Sequence, residues 1–537
     1  VVVEDYFHHA ALSAVIHPDR WRRFETRVER NTRRTLDLLD EFNIKATFFT
    51  LGWIAERMPG LIREISTRGH EVASKGYYHR SIQDMSPAEF RKDLLQSRDA
   101  IENATGVKIH GYRVARGTFT PEHKWALHVL CEEGFAYDSS FYPRLRSIAR
   151  EPWRRHPHQE ACGDQRIWEI PLSSIGPSWF TLPVAGGNYF RQLPNEWMQR
   201  VVAHWDRTVE APFTLYFHVW ELDPDLPRIE AIGRLARIRQ YRNLDLMEGR
   251  LRHYFGTYAF ESIAARLGLD THEQVAEHQR AATAPIPNGV ATGTQPRTPV
   301  TVVVPAHNEE LAIPYLANTL EEFEADLGRR FDLRYVFVDD GSSDRTWDFL
   351  GKHFGSKPGA RLVRLQPNRG VAEAILAGIR EADTDIVCSI DCDCTYDPRQ
   401  LGDMIPMLGE EVSMVTASPY HPEGRVLNVP AWRLSLSKGL SFLYRRVLRN
   451  RLYTYTACVR VYRRKDLEGM TLLNGNFLGV LETLARLDLA GRKVVECPAV
   501  LEVRMLGYSK MKVIKTIRGH LGLLLKVARA RWNGRPL

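Results

Sequence analysis

The sequence predicts an α/β protein of two domains, and three observations lead there. Short apolar runs alternate with amphipathic stretches of helical period in both halves of the chain. At 537 residues the chain is too long for a single hydrophobic core. Residues 281–299 are rich in Ala, Thr, Pro, Gly and Asn, with almost nothing to bury, which is linker composition. These place a first domain at 1–266, a linker at 267–299, a second domain at 300–515 and a basic amphipathic helix at 516–537.

Bulk properties narrow the class. With 44% hydrophobic and 26% charged residues the chain is globular rather than disordered. The net charge of +8, from 73 basic and 65 acidic residues, is mild and comes without a nucleic-acid motif. It suits an anionic partner such as a nucleotide diphosphate or a lipid phosphate. Seven scattered cysteines form no disulfide framework, and Cys388, Cys392 and Cys394 read as small buried residues on a strand in a reducing compartment. The chain opens Val-Val-Val without a signal-peptide pattern, consistent with a trimmed start. No apolar run is long enough to cross a bilayer.

In the second half, strands are expected at 300–305, 335–338 and 385–390. Each runs into polar residues: Asn308-Glu309-Glu310, then Asp339-Asp340-Gly341-Ser342-Ser343-Asp344, then Asp391-Cys392-Asp393. In open parallel sheets ligands bind at the carboxyl ends of strands. Asp and Ser also make ordinary turns, but turns alone explain poorly two acidic pairs directly after buried strands. Asp340 could accept hydrogen bonds from a uracil or guanine edge or from ribose hydroxyls. The Asp391-x-Asp393 pair beside a diphosphate calls for a bridging Mg²⁺ or Mn²⁺, which would neutralise charge on a departing nucleoside diphosphate.

The motifs P-A-H-N-E-E (305–310), V-D-D-G-S-S-D (338–344), N-R-G-V-A-E-A (368–374) and D-C-D-C (391–394) resemble glycosyltransferase family 2, in its dolichol- and polyprenyl-phosphate branch. The resemblance implies a GT-A, Rossmann-like fold and an inverting transfer from a UDP- or GDP-linked sugar. It puts Pro305, Asn308, Glu309, Asp339, Asp340 and Asp391 on the donor side, with Asp391 and Asp393 holding the metal and Asp393 catalytic. Arg504 to Lys510 looks like the branch's R-x-x-G-x-S-K element, so Arg460, Arg504, Ser509 and Lys510 would hold acceptor phosphate or donor diphosphate. Around Arg460 the sequence departs from the branch pattern, which leaves a lipid phosphate and a growing glycan both open as acceptor. A sugar hydroxyl would need a base, for which Glu482 is the candidate, whereas a polyprenyl phosphate needs none and would leave Glu482 an orienting role. Residues 432–451 and 510–532 read as basic amphipathic helices that suit an anionic membrane surface or packing on their own domain. The expected location is cytoplasmic, peripheral to the inner face of the plasma membrane.

In the first half, strands are expected at 1–3 and 46–51, with a helix over 24–42 between them. The strings A-T-F-F, G-H-E-V-A-S-x-G-Y-x-H, G-Y-R and F-H-x-W-E resemble NodB-type polysaccharide deacetylases of the exopolysaccharide branch, implying an incomplete (β/α) barrel. Here the metal motif is degraded. Val2 stands where the family has its catalytic Asp, and Lys75 replaces the first metal-binding His. Glu4 or Asp5, His79, Arg113 and His218 remain. His8, His9 or Asp84 could substitute, but no spacing rule supports them. A protonated lysine cannot donate a lone pair to zinc, so no zinc and no amide hydrolysis are expected. The leading reading is a transferase with a pseudo-deacetylase domain. The alternatives are a bifunctional transferase–deacetylase and a non-catalytic scaffold of a polysaccharide assembly complex.

Overall fold

A computed structural model describes residues 1–117, 119–142, 152–176, 181–269, 297–429, 431–507, 513–534 and 537. They form two compact units, the first drawn mainly from residues before 270 and the second mainly from residues after 296.

The first unit is a ring of short, largely parallel strands. These are β1 (Val2–Val3), β2 (Thr47–Thr50), β3 (Glu71–Ser74), β4 (Gly111–Tyr112), β5 (Tyr137–Asp138), β6 (His158–Cys162) and β7 (Gln165–Glu169), in the order β1-β2-β3-β4-β5-β7-β6. Only β6 runs antiparallel to its neighbour. A short pair, β8 (Ser174–Ile175) and β9 (Leu182–Pro183), follows. Backbone bonds then carry the ring back to its start. Val184 N–H donates to Ser173 O at 3.1 Å, Tyr216 N–H to Ala185 O at 3.0 Å, and Val2 N–H to Phe217 O at 2.9 Å. The barrel is therefore more nearly complete than its strand segments suggest. The first long helix spans Val28–Glu41 rather than 24–42, because the Asp5 carboxylate takes up the N–H groups of Arg27 and Val28 at 2.8 and 3.2 Å and fixes its start.

The second unit is built on a seven-stranded sheet. Its strands are β10 (Thr298–Ala306), β11 (Phe331–Asp340), β12 (Ala360–Leu365), β13 (Ile386–Ser389), β14 (Val412–Ser418), β16 (Arg460–Arg463) and β17 (Lys493–Pro498). The order is β12-β11-β10-β13-β16-β14-β17, with β16 antiparallel between β13 and β14. A small parallel pair joins β15 (Arg425–Leu427) to β18 (Val500–Glu502). Because β10 begins at Thr298, the last residues of the predicted linker are strand. The central strands read as unbroken apolar runs because both faces are covered. Val300, Val302 and Val304 enter one core with Phe337, while Val303 enters the other with Val336 and Val338. Each fully buried valine contributes roughly 1.5–3 kcal/mol.

The helix predicted over 432–451 spans Ala431–Val447, and the one over 510–532 spans Val513–Asn533. Asp488 sets the first boundary, since its carboxylate accepts the N–H groups of Arg449 at 2.9 Å and Asn450 at 2.7 Å. All seven cysteines are free. Cys388 is on a strand as expected, whereas Cys392 and Cys394 lie in the loop beyond β13.

Candidate functional site

In the second unit the carboxyl ends of β10, β11 and β13 face one another because the three strands are adjacent and parallel. The loop after β10 is knitted to the loop after β11. Asn308 adopts a left-handed conformation (φ 52°), which Asn tolerates better than most residues. Its Oδ1 accepts the Ser343 N–H at 2.7 Å, and its own N–H donates to Ser342 Oγ at 2.9 Å. Glu309 N–H donates to Thr346 Oγ1 at 2.7 Å. Pro305 lies within β10, opposite Val338. This frame fixes the backbone of Glu309 and leaves its carboxylate to pair with Arg504.

Glu309, Asp391, Asp393 and Arg504 form the acidic centre of the site. Arg504 reaches it from the segment after β18, with Nε 3.5 Å from Asp393 Oδ2. The Asp393 carboxylate also accepts the Thr395 N–H at 3.1 Å, which holds the turn through Cys394 (φ 51°). Burial pushes the Asp391 carboxyl up to about 7, and neighbouring Asp393 adds to the shift while the Cys458 thiol and Arg504 oppose it. Carboxylates held together in this way, one of them resisting ionisation, suit a hard divalent cation. Among the described residues no three His, Cys, Asp or Glu side chains are placed to hold a metal by themselves. The pair would therefore share a cation with phosphate oxygens and water.

Other predicted residues stand elsewhere. Asp340 is buried and its oxygens are already engaged by the loop after β12: Oδ1 accepts Arg369 N–H at 2.7 Å, and Oδ2 accepts Gly370 N–H at 2.8 Å and Asn368 Nδ2 at 3.0 Å. In this geometry Asp340 fastens the loop after β12 to the end of β11. Asp339 accepts the Ser342 N–H at 3.1 Å and lies 3.2 Å from Arg364 Nε, its register partner on β12. Arg364 was not singled out from sequence, because parallel register cannot be read from one chain.

Glu482 is not placed as a base. It is fully buried, accepting the N–H groups of Leu473 at 2.8 Å and Asn474 at 3.1 Å and pairing with Arg486 at 2.8 Å. Arg460 is likewise buried, giving its guanidinium to the carbonyls of Val480 and Tyr455. It ties the helix Phe477–Leu489 to the sheet and presents nothing to an acceptor phosphate. Ser509 and Lys510 lie outside the described residues.

In the first unit the degraded motif also converges, around Glu4. Lys75 Nζ lies 2.7 Å from Glu4 Oε2, 3.3 Å from His79 Nε2 and 3.1 Å from Ala115 O. His79 Nε2 is 3.3 Å, and His218 Nδ1 2.8 Å, from the Glu4 carboxylate. Burial alone would raise the Glu4 carboxyl, but Lys75, His218 and His79 hold it well below the carboxylate range. Burial draws the Lys75 ammonium below its ordinary value, and Glu4 opposes that. Of the two acids considered, Glu4 faces the site. Asp5 turns away to cap the helix Val28–Glu41 and accept Thr26 Oγ1 at 2.6 Å. Arg113 donates to Ser139 O at 2.8 Å and lies over the Tyr216 ring. His8 accepts the Asp5 N–H at 2.9 Å through Nδ1 while its buried Nε2 has no hydrogen-bond partner, the His9 ring lies 6.4 Å from that of His218, and Asp84 is exposed; among the described residues no three such side chains are placed to hold a metal.

Comparison with known proteins agrees with both halves. Residues 301–470 match the model of glycosyl transferase family 2, residues 21–130 that of polysaccharide deacetylase, and residues 139–267 a domain of unknown function. The chain is 27% identical over 241 residues to a dolichol-phosphate mannosyltransferase of Pyrococcus furiosus, covering 44% of this chain and 64% of that protein. It is 32% identical over 176 residues to an undecaprenyl-phosphate 4-deoxy-4-formamido-L-arabinose transferase of Pseudomonas paraeruginosa, covering 32% and 49% respectively. The matches thus span about half to just under two thirds of these relatives' own length. Glucosyl-3-phosphoglycerate synthase from Mycobacterium tuberculosis, solved with Mn²⁺ and UDP, aligns at 18% identity and a TM-score of 0.34, covering 44% of this chain and 81% of that one.

Proposed function

We propose, from the chain's possession of a family 2 glycosyl transferase domain beside a polysaccharide deacetylase domain, that it transfers a sugar from a nucleoside diphosphate to a lipid phosphate or glycan. The observation that carries this reading is the cluster of Glu309, Asp391, Asp393 and Arg504 at the carboxyl ends of β10 and β13. Asp391 and Asp393 would hold Mg²⁺ or Mn²⁺, which supplies charge neutralisation at the departing diphosphate. Arg504 is paired with carboxylates here and is suited to exchange them for phosphate oxygens. The transfer inverts the anomeric centre. With Glu482 fully engaged in holding its loop, an acceptor that is already anionic fits better than one needing a base. Polyprenyl phosphates are the acceptors in the names of both curated relatives.

Two helices support the finer location. Tyr444 Oη donates to His520 O at 2.9 Å, joining Ala431–Val447 to Val513–Asn533. Their outward faces expose Leu436, Phe442, Leu521, Leu525 and Trp532, interleaved with Arg445, Arg446, Arg529 and Arg531. No helix among the described residues is long and apolar enough to cross a membrane. An in-plane contact with anionic lipid at the inner face of the plasma membrane satisfies both features.

Thermal-shift titration of the chain with UDP- and GDP-sugars, with and without Mn²⁺, tests the donor half. A donor at about 100 times its dissociation constant stabilises by about 2.7 kcal/mol. Stabilisation by no nucleotide sugar in the presence of the metal would remove the reading.

A further inference from the structure

The barrel of the first unit holds a buried amino group where Glu4, His79 and the Ala115 carbonyl converge. An ammonium has three protons to donate. Around Lys75 Nζ, Glu4 Oε2 accepts at 2.7 Å and Ala115 O at 3.1 Å, and His79 Nε2 at 3.3 Å accepts in the tautomer that carries its proton on Nδ1. Lys75 and Glu4 are almost fully buried, with 2% and 0% exposure, so the pair is shielded from water and from screening. Glu4 Oε2 and His79 Nε2 stand 3.3 Å apart. Two zinc ligands at about 2.0–2.1 Å and a tetrahedral angle lie about 3.3–3.4 Å from each other. Two of the groups that enclose the ammonium therefore already have the spacing of zinc ligands.

We propose that the cation position of this barrel is filled from within by the Lys75 ammonium, and that replacing this one side chain by imidazole opens a zinc site. This rests on the deacetylase-like reading of the first unit and is independent of the transferase site. Glu4 and His79 would supply two ligands, the introduced imidazole the third, and water the fourth. In the parent chain a zinc ion would have to displace a buried, fully bonded ammonium whose like charge repels it. The barrel thus keeps the charge pattern of a metal centre without metal exchange, which suits a fixed binding or docking module.

The test uses the full chain carrying Asp391→Ala and Asp393→Ala, so that the second unit contributes no metal. After equilibration with Zn²⁺ and removal of free metal, bound zinc is counted by plasma mass spectrometry and unfolding is followed in parallel. The Lys75 chain is expected to hold essentially no zinc. Lys75→His is expected to hold about one ion per chain and to melt higher with Zn²⁺ than with chelator. Lys75→Met should melt lower than the Lys75 chain and gain nothing from Zn²⁺. One zinc ion per chain with Lys75 in place would overturn the proposal, as would a folded Lys75→His chain that binds none. If Lys75→His does not fold, the zinc content of the Lys75 chain still decides.

Discussion

Replacing Asp340 separates two roles that its position alone leaves confounded. If its carboxylate read the nucleotide base, Asp340→Ala would weaken donor binding and leave stability almost unchanged. The structure instead gives it two backbone donors, Arg369 N–H at 2.7 Å and Gly370 N–H at 2.8 Å, and the Asn368 amide at 3.0 Å. Alanine keeps one of these links indirectly, because Asn368 Nδ2 also donates to the Asp340 carbonyl at 2.8 Å. The loss falls on the two backbone bonds. Hydrogen bonds to a charged group contribute about 1.5–3 kcal/mol each, and the exposed loop lets water recover part of this, so about 2–4 kcal/mol is expected. The loop also leads into the helix Val371–Arg380, whose Ala372 and Glu373 N–H groups donate to Gly475 O, so the damage should spread to the segment before Glu482. Urea unfolding of the parent, Asp340→Ala and Asp340→Asn measures it, with Asn expected to lie between. An Asp340→Ala chain within about 0.5 kcal/mol of the parent would refute the scaffolding role, since surface substitutions fall in that range.

Three further outcomes follow from the same geometry. Gly370 (φ 96°) approaches the second unit's own loop so closely that an added Cβ would meet Gly475 C at 2.6 Å; Gly370→Ala should cost about 2–4 kcal/mol from left-handed strain and overpacking together, read as a lowered unfolding midpoint. Glu482→Gln should lower stability, because its carboxylate fastens Leu473 and Asn474, while any transfer activity of the folded fraction persists; loss of turnover at unchanged stability would restore a catalytic role. In the first unit, burial pushes the Asp138 carboxyl up to about 6 and Glu169 beside it well above its ordinary value. Because these folded-state values exceed the unfolded ones, the stability they contribute is full below about pH 4; the Asp138 share is lost as pH rises through about 6 and the Glu169 share at higher pH. Melting curves between pH 5 and 8 should fall for the parent; Glu169→Gln should remove the Glu169 share and keep the fall near pH 6 that buried Asp138 causes.

The two-unit α/β architecture was legible because fully covered strands such as Val302–Val304 leave an unmistakable apolar run. The acidic clusters were legible because parallel strands place them at one edge. Roles inside those clusters were less so. Sequence gives Asp340, Arg460 and Glu482 a neighbourhood but not their hydrogen-bond partners, and each proved to be holding backbone. Glu482 carried a signal that could have been used, since Arg486 four residues on is a helical ion-pair partner. Glu4 and Asp5 could not be told apart without knowing that the Asp5 carboxylate starts a helix more than twenty residues away. Ala115 enters the Lys75 shell through its carbonyl, which no side-chain pattern reports.

The claim that most of this depends on is that Asp391 and Asp393 bind a divalent cation together with a nucleoside diphosphate. Calorimetric titration of Mn²⁺ with UDP and with GDP into the parent and Asp393→Ala measures it directly. The parent should bind one of the two nucleotides only with Mn²⁺ present, and Asp393→Ala should lose at least about tenfold in affinity, the equivalent of about 1.4 kcal/mol. Equal affinity in the two chains, or binding indifferent to Mn²⁺, would contradict the account.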